Sequence, residues 1–364
     1  MPSLPLAPDL ILTGAVIHTM DPRQPRASAA AIKDGRFVGV GSDAEMSALA
    51  GPGSVVRRLG GATVAPGIVD SHNHLLMSGV MLREVRLYDC RSIGEIVDRV
   101  AARARSLPPG AWIVGRGWDE SLLDERRHPT RHDLDAVSAD HPVVLHRVWN
   151  KLVCNSAALR AAGISAATPD PDPGELYSGS FERDGAGHPT GLFRDRAKEM
   201  ITGAIPPASE EDRVAAIETA CAAYHRAGIT AVAEPGLYPE EIHAYTRAWR
   251  EGTLRVRTDM LLAGWGFGAP AIETGLRERF AGIGLEGGLG DDMLRLEGLK
   301  MMPDGGISDR TARMFEPSLD SEARGSWTVE AGLLVELFRG THDLGWALDI
   351  LSCGCVTLEV VVSA

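Results

Sequence analysis

The chain has no run of about 18 uninterrupted apolar residues, so no membrane-spanning helix is expected. It is also short of positive charge. Thirty-seven Lys and Arg stand against 49 Asp and Glu, a formal net charge of −12. Without a local basic patch, that balance repels phosphate backbones and anionic lipid, so neither nucleic acid nor a membrane is an expected partner. Cysteine is sparse and odd in number: Cys90, Cys154, Cys221, Cys353 and Cys355 are scattered along the chain. That excludes the paired framework of a small secreted domain and fits a reducing cytoplasm. The opening MPSLPLAPDLILTGAVIHTM has no basic residue before its apolar stretch and meets Asp9 early, unlike a secretory signal. No low-complexity tract or short-period repeat is present.

What is there is ordinary globular material, 44% hydrophobic and 24% charged over 364 residues. That length exceeds one small core and predicts a large barrel-type domain with accessories, or two domains. Residues 1–60 read as strands and turns: DLILTGAVIHTM, SAAAIKDGRFVGVG with Asp34-Gly35 as a hairpin signal, and SVVRRLGGATVAPG. Such short strands make a small β unit that needs a partner sheet from elsewhere in the chain. Beyond it, strands alternate with amphipathic helices, the mark of α/β architecture. Ser92 and Glu95 open one helix with a capping-box pattern, followed by Ile93, Ile96, Val97, Val100, Ala101 and Ala104 on one stripe. Ser209 opens another, with Val214, Ile217, Cys221 and Tyr224 on its stripe and Gly228 at its end. Strands are expected at ITAVAE (229–234), LRVRTDMLL (254–262), LRLEGLKMM (294–302) and WALDIL (346–351). Residues 165–190, dense in Pro, Gly, Asp and Ser, read as a long surface loop or lid.

The chemistry concentrates in VAPGIVDSHNHLL, residues 64–76. Alternate strand side chains share a face, so His72 and His74 would project together and could present two imidazoles to one ion. Asp70 faces the same way and could accept an imidazole N–H. The plainer reading is polar residues at a strand end. Lys300, between Leu299 and Met301 in an apolar strand, is costly to bury as an ammonium ion. Either it is partnered, with Asp304 as the candidate, or its amine reaches water. The functional reading is a neutral amine that adds carbon dioxide to form a carbamate bridging two metal ions.

Other residues offer weaker signals. Trp112, Trp118 and Trp149 line a substrate pocket or else pack in the core. Asp119 and Glu120 could form an acid–base pair, although adjacent strand residues face opposite sides. His128, His132, His141 and His146 lack a compact ligand spacing and read as surface or hydrogen-bonding residues. Gly282, Gly284 and Gly287 spell G-x-G-x-x-G, but GLRERFA before them is not the strand that a dinucleotide fingerprint must follow.

PGIVDSHNH followed far downstream by LKMMPDGG resembles the amidohydrolase superfamily, in its amidohydrolase-3 branch. WIVGRGWDE (112–120), RHPTRHDLDAV (127–137), PVVLHRVWNKLVCNSAAL (142–159) and GHPTGLFRD (187–195) resemble that branch in order and spacing. The resemblance runs from Asp9 essentially to the end. It implies an α/β fold, a distorted (β/α) TIM-type barrel flanked by a β-sandwich, with one or two divalent metals, usually zinc. Residues 1–60 would contribute to the sandwich, 61–79 and 201–364 would form the barrel, and 80–200 would be an inserted subdomain. His72, His74 and Lys300 would be metal ligands, with Asp70 and Asp304 behind them and Trp118 and Asp119 near the substrate. The implied reaction is hydrolysis of an amide or related C–N bond in a small molecule by metal-activated water.

The sequence departs from that pattern. Leu351 stands where the branch has its strand-five histidine, and Cys355 where an Asp usually follows. The sole histidine after Lys300 is His342, in an expected helix, and the catalytic Asp of the last barrel strand has no counterpart. The expectation is therefore a C-terminally incomplete barrel of strands one to about five, with Cys353 and Cys355 as substitute thiolate ligands the alternative. Open edges on strands one and five would favour pairing with another chain, so a homo-oligomer is conceivable. Two rival functions stay open: a catalytically silent binding protein, and a hydrolase of ester or lactone C–O bonds.

Overall fold

The computed structural model describes residues 7–138, 140–147, 151–171, 179–263, 284, 286–307, 311–317, 319, 322, 324–328 and 331–363. The chain divides into two units, Met1–Val69 and Asp70–Ala364.

The first unit is the small β unit expected from its alternating strands. Strands β1 (Leu10–Thr13), β2 (Val16–His18), β3 (Arg26–Ala27), β4 (Ala29–Lys33), β5 (Arg36–Gly41), β6 (Val55–Arg58) and β7 (Thr63–Val64) form two sheets, ordered β5-β4-β1-β6 and β3-β2-β7. The β4–β5 turn is the predicted Asp34-Gly35, both at positive φ (49° and 74°), which suits a tight hairpin between right-twisted strands. Ser42 caps a one-turn helix, Asp43–Ser47, whose Met46 packs with Ile11, Ala29 and Ala31.

Two further sheets follow along the chain. The first is built from β9 (Val85–Arg86), β10 (Ile113–Arg116), β11 (Val143–His146), β12 (Lys151–Cys154), β13 (Ser180–Arg183) and β14 (Pro189–Arg194), in the order β13-β14-β12-β11-β10-β9. The predicted helix is present as Ile93–Ala104, with the Ser92 side chain accepting the Glu95 amide; Glu95 itself reaches Arg91 N rather than Ser92 N. Ile93, Ile96 and Val100 bury that helix against the sheet residues Ile113, Val143 and Leu145.

One expectation needs correction here. Within the expected 165–190 loop, residues 180–183 and 189–190 belong to the antiparallel pair β13–β14, which extends the sheet beyond β12. Their Pro, Gly and Asp residues punctuate a hairpin: Gly187, at φ 82°, donates to Asp184 O, and Asp184 N donates to His188 O. Residues 172–178 of the predicted lid lie outside the described residues.

The second sheet carries the candidate site. It comprises β8 (Ile68–Asp70), β15 (Ile229–Leu237), β16 (Arg257–Ala263), β17 (Leu289–Gly290), β18 (Leu294–Met301) and β19 (Ala347–Ile350). Its order is β17-β18-β16-β15-β8, with β19 also on β18. β15, β16, β18 and β19 pair in parallel, the α/β arrangement predicted from the alternating pattern. Helices Leu75–Arg83, Glu210–Ala227 and Pro239–Arg250 bury Leu75, Ile217, Cys221 and Tyr245 against Val232 and Met260 of this sheet. Gly79 permits a close contact between the 75–83 and 210–227 helices, since a Cβ there would meet Ala216 O at 2.0 Å. Ser209 and left-handed Gly228 bound the 210–227 helix as predicted. Among the described residues, no pairing joins β8 to β19.

Candidate functional site

The site lies beyond the C-terminal ends of these strands. β8 stops at Asp70 and the next helix starts at Leu75, so His72 and His74 sit in the intervening turn rather than on the strand itself. They nevertheless come together, with ring centroids 5.6 Å apart and planes at 89°. Each turns Nδ1 toward a carboxylate: His72 lies 3.3 Å from Asp349 Oδ2, and His74 lies 3.8 Å from Glu234 Oε1. The Nε2 atoms are then the nitrogens available to a ligand. Burial, followed by the Lys300 charge, holds the His72 imidazole below its usual pKa and favours the neutral form that binds metal.

Asp70 does not orient an imidazole, contrary to expectation. Its Oδ1 accepts the His72 backbone N–H at 3.3 Å and its Oδ2 accepts Asn73 Nδ2 at 2.7 Å. A short carboxylate bonding the backbone two residues on competes better for this turn than a longer reach to a ring. Asn73 is fixed in turn by the Tyr224 hydroxyl at 2.6 Å and by Ala233 O.

Lys300 is buried, and its Nζ donates to Asp349 Oδ1 at 3.0 Å. The two residues are register partners on β18 and β19, so their side chains stand side by side on one face. The expected partner Asp304 is engaged elsewhere, accepting Arg313 N, Cys353 N, Gly354 N and the Thr357 hydroxyl. Asp349 thus lies between Lys300 and His72, linking two of the three predicted site residues; Glu234 adjoins the third, His74.

The remaining candidates are placed away from this cluster. Trp118 is a core residue, 1% exposed, packed with Leu123, Leu134 and Leu145 and donating its indole N–H to Leu145 O at 3.4 Å. Asp119 and Glu120 share one cation, Arg147, rather than forming an acid–base pair. Trp112 packs on the core around Phe181 and Phe193, whereas Trp149 and Gly282 lie outside the described residues. His141 bonds Ala111 O, and His128 lies edge-on to Trp118 and 3.6 Å from Glu120. His342 is exposed on helix Ala331–Asp343. Cys353 offers its amide to Asp304, and Cys355 Sγ accepts the Phe315 N–H.

Glu234 and Asp349 are the functional neighbours that sequence reasoning missed. Each is an acid in an apolar strand, in ITAVAE and WALDIL, the same anomaly that singled out Lys300. Among the described residues, no group of three or more His, Cys, Asp or Glu side chains forms a metal-holding cluster. The donor set fits a divalent ion through two adjacent imidazoles, each with a carboxylate beside its Nδ1.

Comparison with known proteins decides the ancestry, because the family model for the amidohydrolase family matches residues 56–364. The chain belongs to the amidohydrolase family. It is 31% identical over 360 residues to YtcJ of Bacillus subtilis (strain 168), assigned by name to the amidohydrolases, covering 96% of this chain and 64% of that protein. It is also 31% identical over 266 residues to the N-substituted formamide deformylase of Arthrobacter pascens, covering 70% of this chain and 48% of that enzyme. Among solved structures, an uncharacterized metal-dependent hydrolase from Pyrococcus furiosus superposes with TM-score 0.75 at 26% identity, over 98% of this chain and 69% of that one. The amidohydrolase chain described here thus spans about half to two thirds of the length of these two curated relatives.

Proposed function

We propose that this amidohydrolase-family protein is a metal-dependent hydrolase that cleaves an amide or related C–N bond of a small molecule. The observation that carries this reading is the adjacency of His72 and His74, each backed by a carboxylate, at the C-terminal end of a parallel sheet. These two imidazoles would hold a divalent ion, with zinc the expected metal. Such an ion, when bound, supplies a water acidic enough to ionise near neutral pH and a Lewis acid for the scissile carbonyl. The chain's own residues prepare the site. Asp349 and Glu234 stand beside the two rings, Lys300 holds Asp349, and Asp70 and Asn73 hold the turn. The proposed architecture is a (β/α) barrel built on the parallel strands, and the proposed compartment is the cytoplasm. The formamide deformylase relative supports a C–N bond over an ester or lactone.

The test combines metal content with a substrate panel. Purified protein supplied with zinc should retain it through gel filtration, lose it in a His72→Ala/His74→Ala variant, and hydrolyse N-substituted formamides faster than matched formate esters. Zinc retention equal in wild type and double variant, with no hydrolysis by either, would overturn the reading in favour of a silent binding protein. Preference for the esters would move the reaction to C–O bonds.

A further inference from the structure

Cys90, Cys154 and Cys221 are buried, whereas Cys353 and Cys355 are partly exposed and flank a single glycine. The pair occupies the turn that leads from β19 into helix Cys355–Ser363. That turn is firmly held. Cys353 N donates to Asp304 Oδ1 at 3.1 Å, while Gly354 N and the Thr357 hydroxyl donate to Oδ2 at 2.7 and 2.9 Å. On another side the Val356 amide donates to Arg313 O at 3.1 Å, and a Cβ on Gly354 would lie 2.0 Å from that oxygen, so only glycine fits between the two thiols. Cys355 Sγ has a fixed place, accepting the Phe315 N–H at 3.2 Å.

The backbone brings the two cysteines within bridging range. Two residues of fully extended chain span about 7 Å, the upper limit for the Cα atoms of a disulfide. This segment is bent. Successive amides of an extended strand point to opposite sides, whereas those of Cys353 and Gly354 reach one carboxylate, which shortens the span below that limit.

We propose that Cys353 and Cys355 are a dithiol that a small-molecule disulfide, of the oxidised glutathione class, converts reversibly to an intramolecular disulfide. One thiolate attacks a sulfur of the reagent and expels a first small thiol, leaving a mixed disulfide on the protein. The second thiolate attacks the protein-borne sulfur of that bond and expels the other small thiol. The protein gives up two electrons and two protons, and the reagent takes them and leaves as two thiols. Closure wins over a second mixed disulfide because the neighbouring thiol is tethered at high effective concentration. The three buried cysteines stay reduced because the reagent does not reach them. In a reducing compartment such a pair rests as thiols and closes when the poise turns oxidising, as a redox sensor does.

This inference does not depend on the hydrolase reading, and its test reads sulfur chemistry alone. Native protein is equilibrated in glutathione buffers of rising oxidised fraction, quenched with acid, unfolded, alkylated and cut with trypsin. The peptide that follows Arg339 runs to Ala364 and has Cys353 and Cys355 as its only cysteines. It should pass from two alkylated thiols to none, with the mass of an internal disulfide, and return when a thiol reductant is added. Peptides bearing Cys90, Cys154 and Cys221 should stay fully alkylated across the same series. Cys353→Ser and Cys355→Ser should each stop at a mixed disulfide carrying one glutathione. Two glutathiones on the wild-type peptide, oxidation of the buried cysteines ahead of this pair, or thiols that stay reduced throughout the series would each overturn the proposal.

Discussion

The Tyr245 hydroxyl donates to the Glu234 carboxylate at 2.7 Å, and both side chains are buried. Glu234 Oε2 also accepts the amides of Leu75 and Leu76, and the Tyr245 oxygen accepts Leu76 N at 3.0 Å. These are the first amides of the helix beside the candidate site, whose N-cap, His74, offers no side-chain bond of its own. A carboxylate at a helix N-terminus satisfies those donors and meets the positive end of the helix dipole. Burial and the Glu234 charge push the Tyr245 phenol well above its usual pKa, so it remains a donor. Removing one buried bond to a charged group, as in Tyr245→Phe, should cost about 2 kcal/mol. Glu234→Leu strands the Leu75 amide and the phenol and should cost about 3–5 kcal/mol. Urea denaturation checks that order, and a Tyr245→Phe loss exceeding that of Glu234→Leu would contradict it.

Asp304 gathers four donors from three segments: Arg313 N at 3.0 Å, Cys353 N at 3.1 Å, Gly354 N at 2.7 Å and the Thr357 hydroxyl at 2.9 Å. It therefore ties the stretch after β18 to the start of helix Cys355–Ser363. Asp304→Ala should destabilise the protein by about 3–5 kcal/mol. Amide exchange should accelerate first at residues 353–357. Equal acceleration across the 210–227 helix would mean that Asp304 does not hold this corner locally.

Much of this organisation was legible in local sequence. Asp34-Gly35, Ser92, Ser209 and Gly228 act through backbone conformation and neighbouring amides, so each marks its turn or helix end without reference to distant residues. The site was legible by halves. His72 and His74 declare themselves by spacing, and Lys300 by its cost in an apolar strand. Their partners did not, because the contact of Asp349 with Lys300 depends on which residues β18 and β19 place in register, a pairing 49 residues apart in the chain. Asp304 misled for the converse reason. It is near Lys300 in sequence, but the chain leaves β18 at Met301 and carries Asp304 to different donors. Residues 180–190 misled because turn-forming composition is shared by a loop and by a tight hairpin.

Trp118 tests core packing against substrate contact. Its indole is enclosed by Leu123, Leu134 and Leu145 and is 1% exposed. Trp118→Ala should cost about 3–5 kcal/mol through the cavity it leaves. Any activity that survives in the folded fraction should keep its KM. A raised KM without a lowered melting temperature would restore Trp118 to the pocket.

His146, the last residue of β11, gives the protein an acid-sensitive element distinct from its carboxylates. Burial, then the nearby charges of Arg116 and Lys198, lowers its pKa to about 4 from an ordinary 6.5. Above pH 6.5 the ring is neutral in folded and unfolded chains alike and has no effect on stability. Between 6.5 and 4 the unfolded chain takes up a proton that the folded protein refuses, so unfolding becomes easier as pH falls. At pH 4 the cost reaches about 3 kcal/mol, from about 1.4 kcal/mol per pH unit. Asp133 works in a lower window. The Arg127 bond holds its pKa at about 2, so the stability it contributes fades only as pH drops below 3.8. Chemical denaturation of wild type from pH 8 to 3 should therefore show a slope that His146→Phe reduces between 6.5 and 4 and leaves intact below. His72 and His128, also held below their usual range, should supply the remaining slope in the upper window. Superposable profiles for wild type and His146→Phe would show that His146 accepts its proton in the folded protein as readily as in the unfolded chain.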